Sequence, residues 1–308
     1  MRKEVWWRPP SKTAWLLCGV IAIASTGTAV AKEYGDWSAP VSAESLSGSS
    51  DEVNTAANDG CPILDPYTKD LYMASTRPGG HGGQDIWIAH WNGNGWDTPV
   101  NAGDNINTDA DEFCPSPARG NRFFFVRGHL PSGNTDIYVS KRNPKSGFGP
   151  ASPLPAGDDA INSPQQEWSP SWFEAPDGRE FLYFSSTRSG RQRIYYSVNF
   201  GNAQLAPGAV NSSADDARPN VRHDGLEIVW DSTRFGTLGG PDIWTARRSS
   251  VDDPWGDATH LDAPINSPAG ESRASLSWDG TMLMFGSTRA GEGGSDIYRS
   301  TRSKVTGQ

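Results

Sequence analysis

Five carboxylic acids stand out by their spacing: Asp59, Glu112, Glu167, Asp216 and Glu271, roughly fifty residues apart, each following an Asn-Ser/Thr phrase. A circle of such groups at one mouth of a channel could hold a cation. Two of them could also act as general acid and base in glycoside cleavage, which needs a pair of carboxyls about 5–10 Å apart. Glu112 and Glu167 make the best catalytic pair, because the units around them depart from the pattern. The acids have a structural reading as well. Arg77, Arg188, Arg234 and Arg289 follow Ser-Thr in four of the five units. One acid and one arginine per unit is the stoichiometry of a repeated ion pair, and a residue written into every unit serves the unit.

Chemistry specific to a ligand is therefore sought where the pattern breaks. The second unit reads Arg127-Gly128-His129 where others read Ser-Thr-Arg, and the third puts Arg193 in place of an aspartate. Trp168 stands beside the third acid. Arg218 and Arg273 occupy in units four and five the place held by Cys61 and Cys114 in units one and two. A channel mouth combining the five acids with Arg218, Arg273 and Trp168 suits a sugar: the indole stacks on the ring, and charged groups hydrogen-bond its hydroxyls. The competing expectation is that Trp168 packs between units. The five histidines lack zinc spacing, and Asp109–Glu112 lacks the glycine and ligand order of a calcium loop. No metal or cofactor is assigned, and calcium at that acidic turn is the one cofactor considered. Gly79–Gly83 precedes neither a helix nor a Lys-Ser/Thr pair, so it reads as turn glycines with positive φ and not as a phosphate loop. No Gly-x-Ser-x-Gly elbow supports a serine hydrolase.

The elements that must carry these residues are strands. Asn54, Asn107, Asn162, Asn211 and Asn266 open five units at intervals of 49 to 55 residues. Asp-Ile-Trp/Tyr recurs at Asp85, Asp136, Asp242 and Asp296, with Arg193-Ile194-Tyr195 in the remaining unit. Within a unit, a short segment such as Asp59–Leu64 leads to a run apolar on both faces, Asp70–Ser75, and then to two further strands separated by turns rich in Gly, Asn, Asp and Pro. Four strands per repeat with two-sided burial predict a single five-bladed β-propeller over residues 32–308. The last unit lacks a Trp…Pro strand, and Trp37 and Pro40 stand before the first unit. The N-terminal strand is therefore expected to complete the last blade and close the ring, which removes free sheet edges.

Glu112-Phe113-Cys114-Pro115, Ser75-Thr76-Arg77, Gly79–Gly83 and Asp85-Ile86-Trp87 together resemble the repeat of the TolB-type β-propeller family. The resemblance covers about residues 34–302. It implies an exported, non-catalytic binding or scaffold module for a protein or glycan partner, in the periplasm or outside the cell. Five-bladed glycoside-active enzymes supply the alternative. Fold alone does not choose between them.

Residues 1–31 read as a signal peptide: basic Arg2, Lys3, Arg8 and Lys12, the apolar run Ala14–Ser25, then Ala29-Val30-Ala31. Leu17 before Cys18 argues against a lipoprotein site. No other run is long enough to insert in a membrane. The formal net charge of −9, more negative without the leader, argues against nucleic acid and anionic membrane as partners. Cys61 and Cys114 lie at the same place in adjacent units, and in an oxidising compartment they are expected to form a disulfide between blades one and two.

Overall fold

Each repeat forms one antiparallel sheet. The structure is a computed structural model that describes residues 34–131, 133–143 and 147–305, so the signal-peptide reading lies outside the described residues. Blade one comprises Asp59–Leu64, Leu71–Ser75, Asp85–Ala89 and Val100–Asn101, paired in that order. Blade two comprises Asp111–Ala118, Arg122–Gly128, Thr135–Asn143 and Ser152–Pro153, with Gly147–Phe148 also paired to its third strand. Blade three is Glu167–Glu174, Glu180–Ser186, Arg193–Val198 and Gln204–Leu205, and blade four is Asp216–Val221, Glu227–Ser232, Asp242–Arg247 and Thr259–His260. Blade five takes three strands from its own repeat, Glu271–Leu276, Met282–Ser287 and Asp296–Thr301. Its fourth is Val41–Ser42, whose residues lie opposite Arg299 and Tyr298. The five-bladed propeller closed by its N-terminal strand is thus the fold.

First strands of successive blades pack against one another around the axis. The second strands behave as their two-sided apolar pattern requires, and Leu71–Ser75 is buried throughout. Side chains from the two faces enter different clusters. Leu71 and Met73 pack toward Met284 and Ile297 of blade five, whereas Tyr72 packs toward Phe123 and Phe125 of blade two. The core is therefore distributed over the five blade interfaces, and each blade is held by its neighbours.

The repeated phrases now have physical roles. Each phrase-opening asparagine turns its amide onto the third strand of the preceding blade. Asn107 Oδ1 accepts from Ile86 N and its Nδ2 donates to Ile86 O, both at 2.9 Å. Asn162, Asn211 and Asn266 repeat this on Ile137, Ile194 and Ile243, and Asn54 repeats it on Ile297 across the closure. The following Ser or Thr donates backbone N–H and hydroxyl to the acid four residues on, as Thr55 does to Asp59 at 2.7 and 2.8 Å.

The glycines before Asp-Ile-Trp/Tyr are required mainly for room. A Cβ on Gly80 or Gly291 would lie 1.9 Å from a carboxylate oxygen of Asp85 or Asp296, which accepts backbone N–H groups of the same turn. Gly79, with φ of 94°, is where the expected left-handed conformation occurs.

Candidate functional site

A β-bulge interrupts the first strand of every blade at the same place. The bulged residues are Cys61, Cys114, Ser169, Arg218 and Arg273, all at positive φ between 49° and 58°. Left-handed non-glycine residues are uncommon, and their backbone strain must be outweighed by the surrounding structure. In four of the five a proline follows, a residue that bulges tolerate because no ladder donor is needed there. All five bulged residues line one chamber on the axis, which offers about 30 Å³ of free volume, room for one or two waters. Two thiols, a hydroxyl and two guanidiniums thus occupy positions that the fold makes equivalent.

The expected Cys61–Cys114 disulfide is not formed. Both cysteines are free and buried. They belong to one buried cluster, and Ser169 Oγ donates to Cys114 Sγ at 3.0 Å. Arg218 is held by Asp231 at 2.5 Å, while Arg273 meets that carboxylate through its backbone N–H and is in no ion pair among the described residues. Burial raises the Cys61 thiol, but the neighbouring Cys114 thiol, then the Arg273 and Arg218 charges, bring it down to about 7. Burial and the neighbouring Cys61 sulfur push Cys114 well above its usual range.

The axial circle of free carboxylates is not formed either. Asp59, Glu112, Glu167, Asp216 and Glu271 are fully buried, turned into their own blades, and do not line the chamber. Each accepts from an arginine: Arg77, Arg127, Arg188, Arg234 and Arg289, at 2.5–3.2 Å. The gap that the sequence showed in unit two is repaired by Arg127, which reaches Glu112 Oε1 with Nε from the serine position. Burial, only partly offset by the Thr108 bonds and Arg127, leaves Glu112 above the usual carboxylate range, and Glu167 is raised for the same leading reason. Neither has a free lone pair aimed at an open pocket, which a catalytic pair needs. Trp168 and Arg218 do meet, with the guanidinium 4.9 Å from the indole centroid. Trp168 also packs edge-on to Phe113 and donates Nε1 to Thr135 Oγ1, so much of its surface is committed. The axis at this level is too narrow for a sugar ring. Among the described residues no group of three or more His, Cys, Asp or Glu could hold a metal, and Asp111 of the acidic turn accepts from Gln84 N and Leu130 N. No helix among the described residues is long and apolar enough to cross a membrane.

The other asymmetric surface lies where the turns between first and second strands converge. Each blade contributes one side chain: Tyr67, Arg119, Glu174, His223 and Trp278. Trp278 meets Tyr67 edge-on at 5.3 Å and stacks flat on His223 at 3.7 Å. Arg119 pairs with Glu174, 3.1 Å away. Burial, then the Arg119 charge, hold His223 below its ordinary range, so the ring that stacks on Trp278 is neutral at neutral pH. Beside this cluster, between blades five and one, a cleft of about 430 Å³ is lined by Trp91, Trp96, Trp278, Leu46, Leu64 and Met282, with Asp65, Lys69 and Asp279 at its polar positions. A second cleft, about 270 Å³, lies on the other side of Tyr67, between blades one and two.

These turn residues escaped the sequence reading because they fall outside both repeated phrases. The available signal was their disagreement: Asp-Pro-Tyr-Thr, Ala-Arg-Gly-Asn, Glu-Ala-Pro-Asp, Arg-His-Asp-Gly and Ser-Trp-Asp-Gly occupy equivalent turns and present five different side chains.

No protein-family profile matches the chain. No curated protein matches it in sequence. Solved structures do match in fold. A thermostable family-43 glycoside hydrolase is 14% identical with a TM-score of 0.56, covering 85% of this chain and 93% of its own. The family-43 endo-arabinanase of Bacillus licheniformis is 13% identical with a TM-score of 0.54, covering 81% and 93%. TolB of Acinetobacter baumannii is 15% identical with a TM-score of 0.48, covering 80% of this chain and 55% of its own. At these identities the likeness to the two family-43 structures establishes the propeller fold alone.

Proposed function

We propose that this chain is an exported, non-catalytic propeller that binds a glycan in the turn-face cleft between blades five and one. The observation that carries this reading is the cleft itself. It is large enough for a sugar ring, it has an indole wall from Trp91 and Trp278, and it is built from the turns in which the blades differ most. Aromatic faces with a few polar groups are what sugar recognition uses. The acids of the cleft are already engaged. Asp65 accepts from Tyr67 N, Thr68 N and Arg142. Asp279 is raised by burial but brought down to about 2 by hydrogen bonds from Ser277 and Thr281 and by Lys304, which makes it a poor proton donor.

A second reading, a glycoside-cleaving enzyme, is supported by the likeness in fold to family-43 hydrolases. One experiment addresses both. Titration against arabinan, galactan and xylan oligosaccharides should show saturable binding that Trp278→Ala weakens about tenfold or more, the scale of a lost aromatic contact, with no reducing ends released. Release of reducing ends by the parent chain would instead establish the enzyme. Binding unaffected by Trp278→Ala and Trp91→Ala would remove the cleft from consideration.

A further inference from the structure

The axial chamber carries chemistry that glycan binding does not use. Cys61 and Cys114 stand on adjacent bulges in one buried cluster and line the chamber together, with Ser169, Arg218 and Arg273 as the rest of its wall. Gly60 leaves the space into which the Arg273 guanidinium lies: a Cβ there would be 3.2 Å from Nη1. That guanidinium is in no ion pair among the described residues, Asp231 acting on it only at longer range, and its buried Nε has no hydrogen-bond partner. A cation held beside a thiol without a competing carboxylate stabilises a thiolate. Asp231 is committed to Arg218 and to the Arg273 backbone N–H. Free space of about 30 Å³ admits a molecule the size of water or hydrogen peroxide and excludes a peptide disulfide such as oxidised glutathione.

We propose that Cys61 and Cys114 form a hydroperoxide-reactive dithiol, with Cys61 the attacking sulfur and Cys114 the resolving one. The Cys61 thiolate attacks one oxygen of hydrogen peroxide. The O–O bond breaks, the sulfur carries away a hydroxyl as sulfenic acid, and the departing hydroxide takes a proton to become water. Cys114 then attacks the Cys61 sulfur. The S–S bond forms, the S–O bond breaks, and the second hydroxide leaves as water with the Cys114 proton. Two thiols and one peroxide give one disulfide and two waters. Arg273 acts as a positioning residue that favours the thiolate. The pH dependence involves Cys61, Cys114, Arg218, Arg273 and Asp231, the charged and titratable groups that face one another here.

The test uses the chain carrying Cys18→Ser, reduced and desalted, then given one equivalent of hydrogen peroxide or of oxidised glutathione at pH 7. Peroxide should consume both thiols, with an intact mass lower by two hydrogens and a Cys61–Cys114 linked peptide after digestion, while oxidised glutathione leaves both thiols free. Cys114→Ser should stop at a dimedone-trappable sulfenic acid on Cys61, and Cys61→Ser should stay unreacted. Arg273→Gln should slow the reaction roughly tenfold at pH 7 and much less at pH 9, as expected when the thiolate fraction is what changes. Thiols that survive peroxide in the folded chain but react after denaturation would overturn the proposal. So would equal reactivity of the two single variants, linkage between chains, or an Arg273→Gln deficit that is the same at both pH values. The linked peptide from the parent chain decides the matter even if a variant does not fold.

Discussion

At the scale of single residues, the most prominent side chains in the sequence prove to be structural and the quieter ones line the open clefts. Glu167 shows why. It accepts Ser163 N, Ser163 Oγ, Ser186 Oγ and Arg188 Nη2 while fully buried. Removing one member of a buried pair leaves its partner's charge uncompensated, so Glu167→Ala should cost about 3–5 kcal/mol in urea unfolding. The same variant, if it can be kept folded, should bind glycan unchanged, because the carboxylate is not part of the cleft. The sequence carried the pairing rule for four arginines. It hid the fifth, since Arg127 reaches its acid from two positions earlier, and only the register Glu112 opposite Arg127 shows that one guanidinium can replace a serine and an arginine together.

At the scale of elements, the repeat was legible because each phrase carries out one task at every interface. Asn162 is representative: it accepts from Ile137 N and donates to the carbonyls of Ile137 and Leu154. Asn162→Ala should cost about 1–3 kcal/mol by orphaning a buried N–H, measurable as a lower denaturation midpoint. It should also raise hydrogen exchange at Ile137 while leaving Ile243 protected. What periodicity could not reveal was the bulge. A strand that takes one residue out of register looks continuous in sequence, so the side chains of Cys61 and Arg218 could be placed at equivalent positions but not aimed. The turn cluster was illegible for a different reason. Tyr67, Arg119, Glu174, His223 and Trp278 are remote from one another along the chain and share no motif, and only closure of the ring gathers them.

At the scale of the molecule, closure concentrates charge in one clasp. Arg302 lies between the rings of Tyr34 at 3.9 Å and Trp37 at 4.2 Å and donates to both carboxylate oxygens of Glu227, which Arg222 and Arg247 also approach. Burial alone would raise Glu227, but the arginines prevail, Arg302 foremost, and hold it below its usual value of 4.5. A depressed carboxyl contributes stability that is complete above the unfolded value and fades as pH falls through the folded one. Acid unfolding of the parent chain should therefore steepen below about pH 4.5. Glu227→Gln should lower stability by about 3–5 kcal/mol at pH 7, with the deficit shrinking in acid. A variant lacking residues 34–42 should expose the edge of Asp296–Thr301 and self-associate, as size-exclusion chromatography would register. The clasp also orders events in time. Ser38 meets Ser300 across 262 positions of chain, so the closing strand cannot pair until a segment synthesised much later has been made. Until then every intermediate carries an unfinished sheet, which delays locking of the fold.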